Sequence, residues 1–367
     1  MTTTDSIQEA EASADIDIDI DIEAVEEFAG KVSSDLAVGH HSVQVYLGDR
    51  LGLWHALAAV PGATSQQLSE RTGLAERYVR EWLSAQAASG YVTYDPTDQG
   101  FTLPTAHALV LADDDSPAAM AGGFEVLASV WATVDQLAHA YTTGEGLGWH
   151  EHDSRLFSGF ERFFAPLYRN SLVPEWLPAV DGLVERLQEG IEVLDVGCGT
   201  GAATLIMAEA FPNSFFAGVD YHEESVHRAN AAARAAGVAD RVVFVVESAS
   251  EYAGTYDLVC FFDALHDMGD PEGVLRHARE ALRPGGVVMA VEPQAGDHLE
   301  DNLNPLGLIW YASGTSLCVP NSISQGGPAL GNQAGPTRTL QVFTDAGFSS
   351  ARHVADTVLN FVIDARA

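Results

Sequence analysis

The chain has 367 residues, 47% of them hydrophobic, and its formal net charge at pH 7 is −34. This length and apolar fraction suffice for two or three domains with a core each. The excess of acids disfavours nucleic acids and anionic membranes as partners, because both are negatively charged themselves. Three cysteines make no disulfide framework, and neither a signal peptide nor a membrane-spanning run is recognisable, so we expect a cytoplasmic protein.

The N-terminal residues 1–27 contain ten acids and no Lys or Arg, including four Asp-Ile repeats at residues 15–22. Repulsion between like charges predicts a disordered acidic tail. Alternating Asp and Ile would also suit an edge strand, and this alternative stays open.

Residues 28–110 carry the pattern of a winged-helix domain. Helices are predicted at residues 64–70 and 75–89, followed by a hairpin over residues 91–103. Residues 31–110 contain five Lys or Arg against seven Asp or Glu. Binding to duplex DNA needs basic residues that neutralise phosphates, so the composition argues against a DNA-binding role.

Residues 111–185 are predicted to form a helical linker and a pocket wall. An amphipathic helix is expected within residues 155–176, and Phe164, Tyr168 and Arg169 could extend from it to a bound cofactor.

Histidines in the first half of the chain raise the question of a metal. His150 and His152 are two residues apart, and His40 and His41 are adjacent. Third and fourth ligands at a familiar spacing are missing, so we expect no metal site. Their other roles stay open.

Residues 186–367 carry the strongest functional signal, which begins with a glycine-rich turn. An apolar strand at residues 191–194 runs into Asp195-Val196-Gly197-Cys198-Gly199-Thr200-Gly201, and a helix is predicted at residues 202–210. Glycines let the backbone approach a ligand closely, while the N-terminus of the following helix presents free N–H groups.

A second strand at residues 214–220 ends in Asp220, which is placed to accept hydrogen bonds from ribose hydroxyls. The spacing G-x-G-x-G after an acid departs from the dinucleotide pattern G-x-G-x-x-G, which favours an adenosyl cofactor other than NAD. NAD binding, and a turn that serves only helix packing, remain the alternatives.

Strands and helices alternate through the rest of this region. Strands are predicted at residues 242–246, 257–262 and 286–291, and helices at 225–236 and 271–282. Residues 358–367 would close the sheet. The alternation predicts an α/β fold with a parallel sheet covered on both faces, whose ligands bind at the carboxyl ends of the strands.

His266 follows one strand of this sheet and Glu292 ends the next. Histidine is the side chain best matched to proton transfer near neutral pH. His266 could instead be a helix-entry residue bonded to a backbone group. Asp267 is a secondary candidate, and Asp263 could equally cap a helix.

Several of these motifs resemble known methyltransferases. The segment from Asp195 to Gly201 resembles the first motif of class I S-adenosylmethionine (SAM) methyltransferases. Leu265-His266-Asp267, Gly269-Asp270-Pro271 and Glu292 resemble the core of small-molecule O-methyltransferases. Residues from about 35 onward are similar to a bacterial winged-helix group of SAM methyltransferases, through the segments 46–53, 77–83, 148–152, 220–222, 265–271 and 301–305.

The resemblance implies a Rossmann-like class I methyltransferase sheet with an N-terminal, mostly helical winged-helix domain, and a homodimer formed through that domain. It implies SAM as cofactor and S-adenosylhomocysteine as product, with His266 as general base and Glu292 as its supporting carboxylate. Many class I enzymes hold the adenine with an aspartate after the third strand, where this chain has Ser248. The cofactor-binding residues are expected to be Asp195, Gly197, Gly199, Gly201, Asp220, Tyr221, Ser248, Ala249 and Phe262.

The acceptor is the main open question. We expect a small molecule methylated at a hydroxyl oxygen. The alternatives are methylation at nitrogen or carbon, or a SAM-binding winged-helix regulator without turnover. Residues 295–340 form a long insertion, interpreted as a loop whose Trp310 and Tyr311 either line an acceptor pocket or pack over the end of the sheet.

Overall fold

The computed structural model describes residues 20–367, and its N-terminal region consists mainly of helices. The elements are α1 (Ile22–Arg50), α2 (Leu53–Ala58), α3 (Ser65–Thr72), α4 (Glu76–Ala88), β1 (Thr93–Asp95), β2 (Gly100–Thr102), α5 (Thr105–Leu111), α6 (Ala121–Ala132), α7 (Val134–Thr143) and α8 (Arg155–Ser171). The strands β1 and β2 follow α3 and α4 in the chain and pair antiparallel with each other. This is the winged helix that the sequence predicts.

The C-terminal region alternates strands and helices. Its elements are α9 (Leu183–Glu189), β3 (Glu192–Val196), α10 (Ala202–Ala210), β4 (Phe215–Asp220), α11 (Glu223–Ala235), β5 (Val242–Val246), β6 (Tyr256–Phe262), α12 (Pro271–Glu280), β7 (Leu282–Pro293), α13 (Pro305–Ser316), α14 (Cys318–Ser324), α15 (Gly335–Asp345), β8 (Ser350–Asp356) and β9 (Asn360–Arg366). The strands form one seven-stranded sheet in the order β5-β4-β3-β6-β7-β9-β8.

The sheet is parallel from β5 to β7, and its last two strands pair antiparallel. Val193 and Leu258 pack into one hydrophobic cluster, whereas their neighbours Leu194 and Val259 pack into another. Alternate residues of a strand point to opposite faces, so both faces of the sheet are buried. The Rossmann-like α/β fold is confirmed, and its carboxyl edge is where a ligand can bind.

The helix α8 joins the N-terminal helices to this edge. The guanidinium of Arg162 donates to both carboxylate oxygens of Asp49 in α1, at 2.7 and 2.8 Å. It also reaches Glu125 in α6 at 3.3 Å. A bidentate arginine pair fixes orientation as well as distance, so α8 is held firmly against both helices.

Three parts of the structure differ from the sequence predictions. Residues 22–27, predicted to be disordered, form the first turns of α1, because the Asp21 side chain caps the helix by accepting the N–H of Ala24 at 3.1 Å. The rest of the predicted tail, residues 1–19, lies outside the described residues. The insertion at residues 295–340 was interpreted as a loop but contains α13 and α14, and β8 was not predicted at all. Across residues 20–367, no helix has the length and apolar character needed to cross a bilayer.

Candidate functional site

The glycine turn after β3 is held directly by the carboxylate at the end of β4. Gly197, Gly199 and Gly201 have φ values of 76°, 52° and 81°, a conformation that side chains with a Cβ disfavour. The N–H of Gly199 donates to Oδ2 of Asp220 at 2.9 Å, and the N–H of His222 donates to Oδ1 at 2.8 Å. The turn and Asp220 are therefore adjacent, as the sequence predicts.

The glycines of this turn have different surroundings. A Cβ built on Gly199 meets nothing within 4 Å, and Gly199 lines a cavity at the sheet edge. A Cβ on Gly201 would lie 2.5 Å from Cζ of Phe244 in β5, and Gly201 does not line the cavity. The structure thus assigns Gly201 to close packing of the turn on the sheet, rather than to the predicted contact with a cofactor.

The cavity at the carboxyl edge has a volume of about 650 Å³. It brings together most of the predicted cofactor residues: Asp195, Gly197, Gly199, Asp220, Tyr221, Ser248, Ala249 and Phe262. Its aromatic wall is formed by Trp149, Phe157, Phe160, Phe164 and Tyr168, the last four from α8. This size and lining suit a small-molecule ligand.

The carboxyl groups of Asp195 and Asp263 line the cavity, and the pKa of each is raised. Oδ2 of Asp195 accepts the hydroxyl of Thr204 at 2.5 Å, while Oδ1 has no hydrogen-bond partner among the described residues. Burial raises the pKa of Asp195 to about 7. Burial, then the nearby Glu292, raises the pKa of Asp263 to about 7 as well. Buried acids of this kind favour a cationic ligand, since a positive charge would stabilise their ionised forms. We call the glycine turn at residues 197–201, together with Asp195 and Asp220, the glycine cradle. The positively charged SAM fits this cradle.

Asp263 also shows backbone strain, with a φ of 50° in a residue other than glycine. Its carboxylate accepts the Tyr168 hydroxyl at 2.9 Å and the Asn360 amide at 2.6 Å. These bonds tie α8 to the sheet at the cavity. Sequence analysis left Asp263 ambiguous, because Tyr168 and Asn360 are 95 and 97 residues away from it in the chain.

His266 and Glu292 form a buried pair. Nδ1 of His266 lies 2.6 Å from Oε2 of Glu292, whose Oε1 accepts the N–H of Leu265 at 3.0 Å. Burial lowers the pKa of His266, but the Glu292 carboxylate and the Cys318 side chain raise it, and the net pKa lies well above the usual value. The two predicted catalytic residues are thus in contact with each other.

Neither residue of this pair lines the cavity, although the next residues after His266, Asp267 and Met268, do. The Cys318 side chain is close enough to the His266 ring to raise its pKa. Cys318 belongs to a small hydrophobic cluster against which Trp149 and Phe160 of the cavity wall pack. The ring therefore lies just behind the aromatic wall.

A junction of three distant segments shapes this wall. The indole N–H of Trp149 donates to Oδ2 of Asp267 at 2.5 Å, and the Asn321 amide donates to the backbone oxygen of Asp267 at 3.0 Å. The backbone N–H of Trp149 donates to Oδ1 of Asn321 at 3.2 Å. The secondary candidate Asp267 therefore faces the cavity, where burial raises its pKa to about 6. Asn321 was missed, because no local pattern marks it.

Other sequence candidates lie away from the cavity. Arg169 pairs with Asp115 at 2.6 Å at the surface and does not line it. Trp310 is buried in α13 and Tyr311 is partly exposed, and neither lines the cavity. The structure therefore favours the packing alternative for Trp310, whereas the exposed Tyr311 fits neither alternative.

The histidines considered as metal ligands have separate surroundings. His152 is buried beside the Thr133 hydroxyl at 3.2 Å, and burial lowers its pKa. His41 contacts the Gln86 side chain at 2.8 Å, and His150 lines the cavity. Within residues 20–367, no group of three or more His, Cys, Asp or Glu side chains could hold a metal ion.

Comparison with known proteins agrees with this geometry. A methyltransferase domain family matches residues 187–325, and the Rv2258c-like winged HTH domain family matches residues 39–113. The 27-O-demethylrifamycin SV methyltransferase of Amycolatopsis mediterranei is 40% identical over 103 residues, which are 27% of this chain and 38% of that protein. The ubiquinone biosynthesis O-methyltransferase of Bordetella avium is 37% identical over 131 residues, which are 35% of this chain and 52% of that protein.

The matched part thus spans about half or less of the length of these curated relatives. The solved structure of the mitomycin 7-O-methyltransferase MmcR superimposes with a TM-score of 0.68 at 19% identity, covering 94% of this chain and 100% of that one. The fold is therefore shared over nearly the whole chain.

The fold, the glycine turn held by Asp220 and the family match agree on a methyltransferase domain that includes residues 187–325. In this chain an Rv2258c-like winged-helix domain precedes it.

Proposed function

We propose that this protein transfers a methyl group from SAM to a hydroxyl oxygen of a small molecule, with His266 as general base. The observation that carries the proposal is the buried His266–Glu292 pair, with its 2.6 Å contact, directly behind a cavity that contains the glycine cradle.

Different residues of the site would bind different parts of SAM. Asp220 would bind the ribose hydroxyls, since each of its carboxylate oxygens has accepted only one backbone N–H. The unpartnered Oδ1 of Asp195 would accept a donor from the charged amino-acid end. Ser248 and Ala249 would contact the adenine, and Tyr221 and Phe262 would enclose the nucleoside. Bound SAM supplies an electrophilic methyl group on a sulfonium.

His266 would take the proton of the acceptor hydroxyl. A buried carboxylate only accepts hydrogen bonds, so Glu292 holds the proton of the ring on Nδ1 and leaves Nε2 free to act as base. Since His266 does not itself line the cavity, the acceptor hydroxyl would have to enter between the wall residues to reach the ring. The aromatic wall formed by α8 excludes water, which strengthens electrostatic interactions in the site.

Transfer of label from methyl-labelled SAM to small phenols and enols tests this function. We expect O-methylated product, identified by mass spectrometry, together with SAM binding by calorimetry. Tight SAM binding without transfer to any hydroxyl would contradict the proposal and favour a regulator. Product methylated on nitrogen or carbon would contradict the choice of oxygen.

We further propose that two copies associate through the N-terminal domain. The helix α1 exposes an apolar stripe, spaced three or four residues apart: Val25, Phe28, Val32 and Leu36. Such a stripe is typical of a helix that packs against a partner helix. We expect the mass of a dimer by light scattering, and a monomer after Phe28→Asp with an unchanged circular dichroism spectrum. A monomeric wild-type chain would refute the association.

A further inference from the structure

The cavity wall is strongly acidic. Six carboxylates line it: Glu161, Asp195, Asp220, Asp263, Asp267 and Asp270. None of the described residues that line it is a lysine or an arginine. Arg228 is nearby, but it is paired with Glu161 at 2.5 Å.

Bound SAM would balance only part of this charge. It carries a sulfonium, an ammonium and a carboxylate, so it brings one net positive charge. Glu161 is paired with Arg228, so five carboxylates of the wall remain. When all five are ionised, four stay uncompensated in the SAM complex. When Asp195, Asp263 and Asp267 are protonated, which their raised pKa values favour, one stays uncompensated.

The aromatic residues of the wall also favour a ligand that carries a positive charge. The rings of Trp149, Phe160 and Phe164 line the cavity together with these carboxylates, and aromatic faces attract cations. Asp267 lies within this aromatic wall, hydrogen-bonded to the Trp149 indole.

Resting on the proposed function, we infer that the acceptor is a phenol without an anionic group, and that a phenol carrying a protonated amine is preferred. A carboxylate or phosphate on the acceptor would be repelled by Asp267 and its neighbours, and no lysine or arginine among the described residues of the wall would offset this, although His150 and His222 line the cavity too. An ammonium would be attracted by the same carboxylates and by the aromatic rings. Charges in a partly buried site interact strongly enough that we expect at least about 10-fold discrimination.

Three phenols that differ in one substituent test the inference: 4-hydroxyphenethylamine, 4-hydroxyphenethyl alcohol and 4-hydroxyphenylacetate. Their binding to the S-adenosylhomocysteine complex of the full chain is measured by calorimetry, and their kcat/KM with labelled SAM. We expect the amine to bind best and the carboxylate at least about 10-fold more weakly than the alcohol. A carboxylate that binds as well as the amine, or no binding of the amine, overturns the inference.

Variants that remove one carboxylate of the wall test whether these carboxylates cause the discrimination against anionic phenols. Asp267→Asn keeps an oxygen for the Trp149 indole, and Asp270→Asn keeps a cap for α12, because asparagine also caps helices. Either change should raise the ratio of carboxylate to alcohol binding by about 3-fold or more. The exposed Asp345→Asn should leave this ratio unchanged. An unchanged ratio in both cavity variants contradicts the inference.

The two proposals fail in different ways. The expected order of binding without any methyl transfer would support the charge preference and refute the proposed reaction. Methyl transfer at equal rates to all three phenols would support the reaction and refute the charge preference.

Discussion

Replacing His266 with alanine is expected to lower kcat/KM for methyl transfer by about 10²- to 10⁴-fold, the usual contribution of a positioned general base. SAM affinity should change little, because His266 is bonded to Glu292 and not to the glycine turn or Asp220. Initial rates with labelled SAM and calorimetry of SAM binding measure the two effects separately.

The alanine variant needs a control for folding. Without His266, Glu292 would be buried with no charged partner, which costs about 3–5 kcal/mol. His266→Gln keeps an amide that can donate to Glu292 but cannot act as a base. Its thermal unfolding should lie closer to that of the wild type, while its activity should be as low as that of the alanine variant. Wild-type rates in His266→Gln would remove His266 as the base.

The pH dependence provides a second readout of the same pair. The pKa of His266 is raised by Glu292, and only the neutral imidazole can accept a proton. We expect kcat/KM to rise with pH as the imidazolium loses its proton, with a midpoint above the ordinary value of about 6.5 for histidine. Glu292→Gln should move this midpoint to lower pH. A profile with the same midpoint in both proteins would show that the pair does not control the reaction.

Asp220→Ala is expected to weaken SAM binding by about 10- to 100-fold. Hydrogen bonds to a charged group contribute about 1.5–3 kcal/mol each, and the same carboxylate also holds the N–H of Gly199 in the turn. Burial raises the pKa of Asp220, so affinity in the wild type should also fall at acidic pH, as the carboxylate becomes protonated. Calorimetry with SAM and with S-adenosylhomocysteine measures both effects.

Asp297→Ala is the matched control for this variant. Asp297 also accepts a backbone N–H, from Thr337 at 2.8 Å, but it is exposed and does not line the cavity. The Asp297→Ala variant should have a lower free energy of unfolding than the wild type and the same SAM affinity. If Asp220→Ala binds SAM as tightly as Asp297→Ala does, the assignment of the cradle is wrong.

The cradle could be predicted from sequence because its parts are close in the chain. Gly199 and Asp220 are 21 residues apart, and one helix, α10, and one strand, β4, connect them with little choice of geometry. Gly201 was assigned to the cofactor because a motif does not show which way each glycine faces. The contact with Phe244 depends on β5, which follows much later in the chain.

The acceptor wall could not be predicted in the same way. Trp149, Asp267 and Asn321 are separated by 118, 54 and 172 residues in their pairwise contacts, and only the folded sheet brings them together. The helix α14 was missed for a local reason. It has no side-chain cap and contains Pro320 among residues that favour turns, so its stability comes from packing on the sheet edge.

The junction at Trp149, Asp267 and Asn321 means that the two ends of the cavity belong to different stretches of the chain. The residues proposed to hold the methyl donor lie mainly between 195 and 249, whereas α8 and α14 supply other lining residues of the cavity. Exchanging α14, which contributes Asn321 and Ser324 to the lining, for a helix of another sequence would reshape the space for the second reactant and leave the donor's proposed contacts in place. The architecture thus offers a route to new products by grafting one segment, with no redesign of the part that supplies the methyl group.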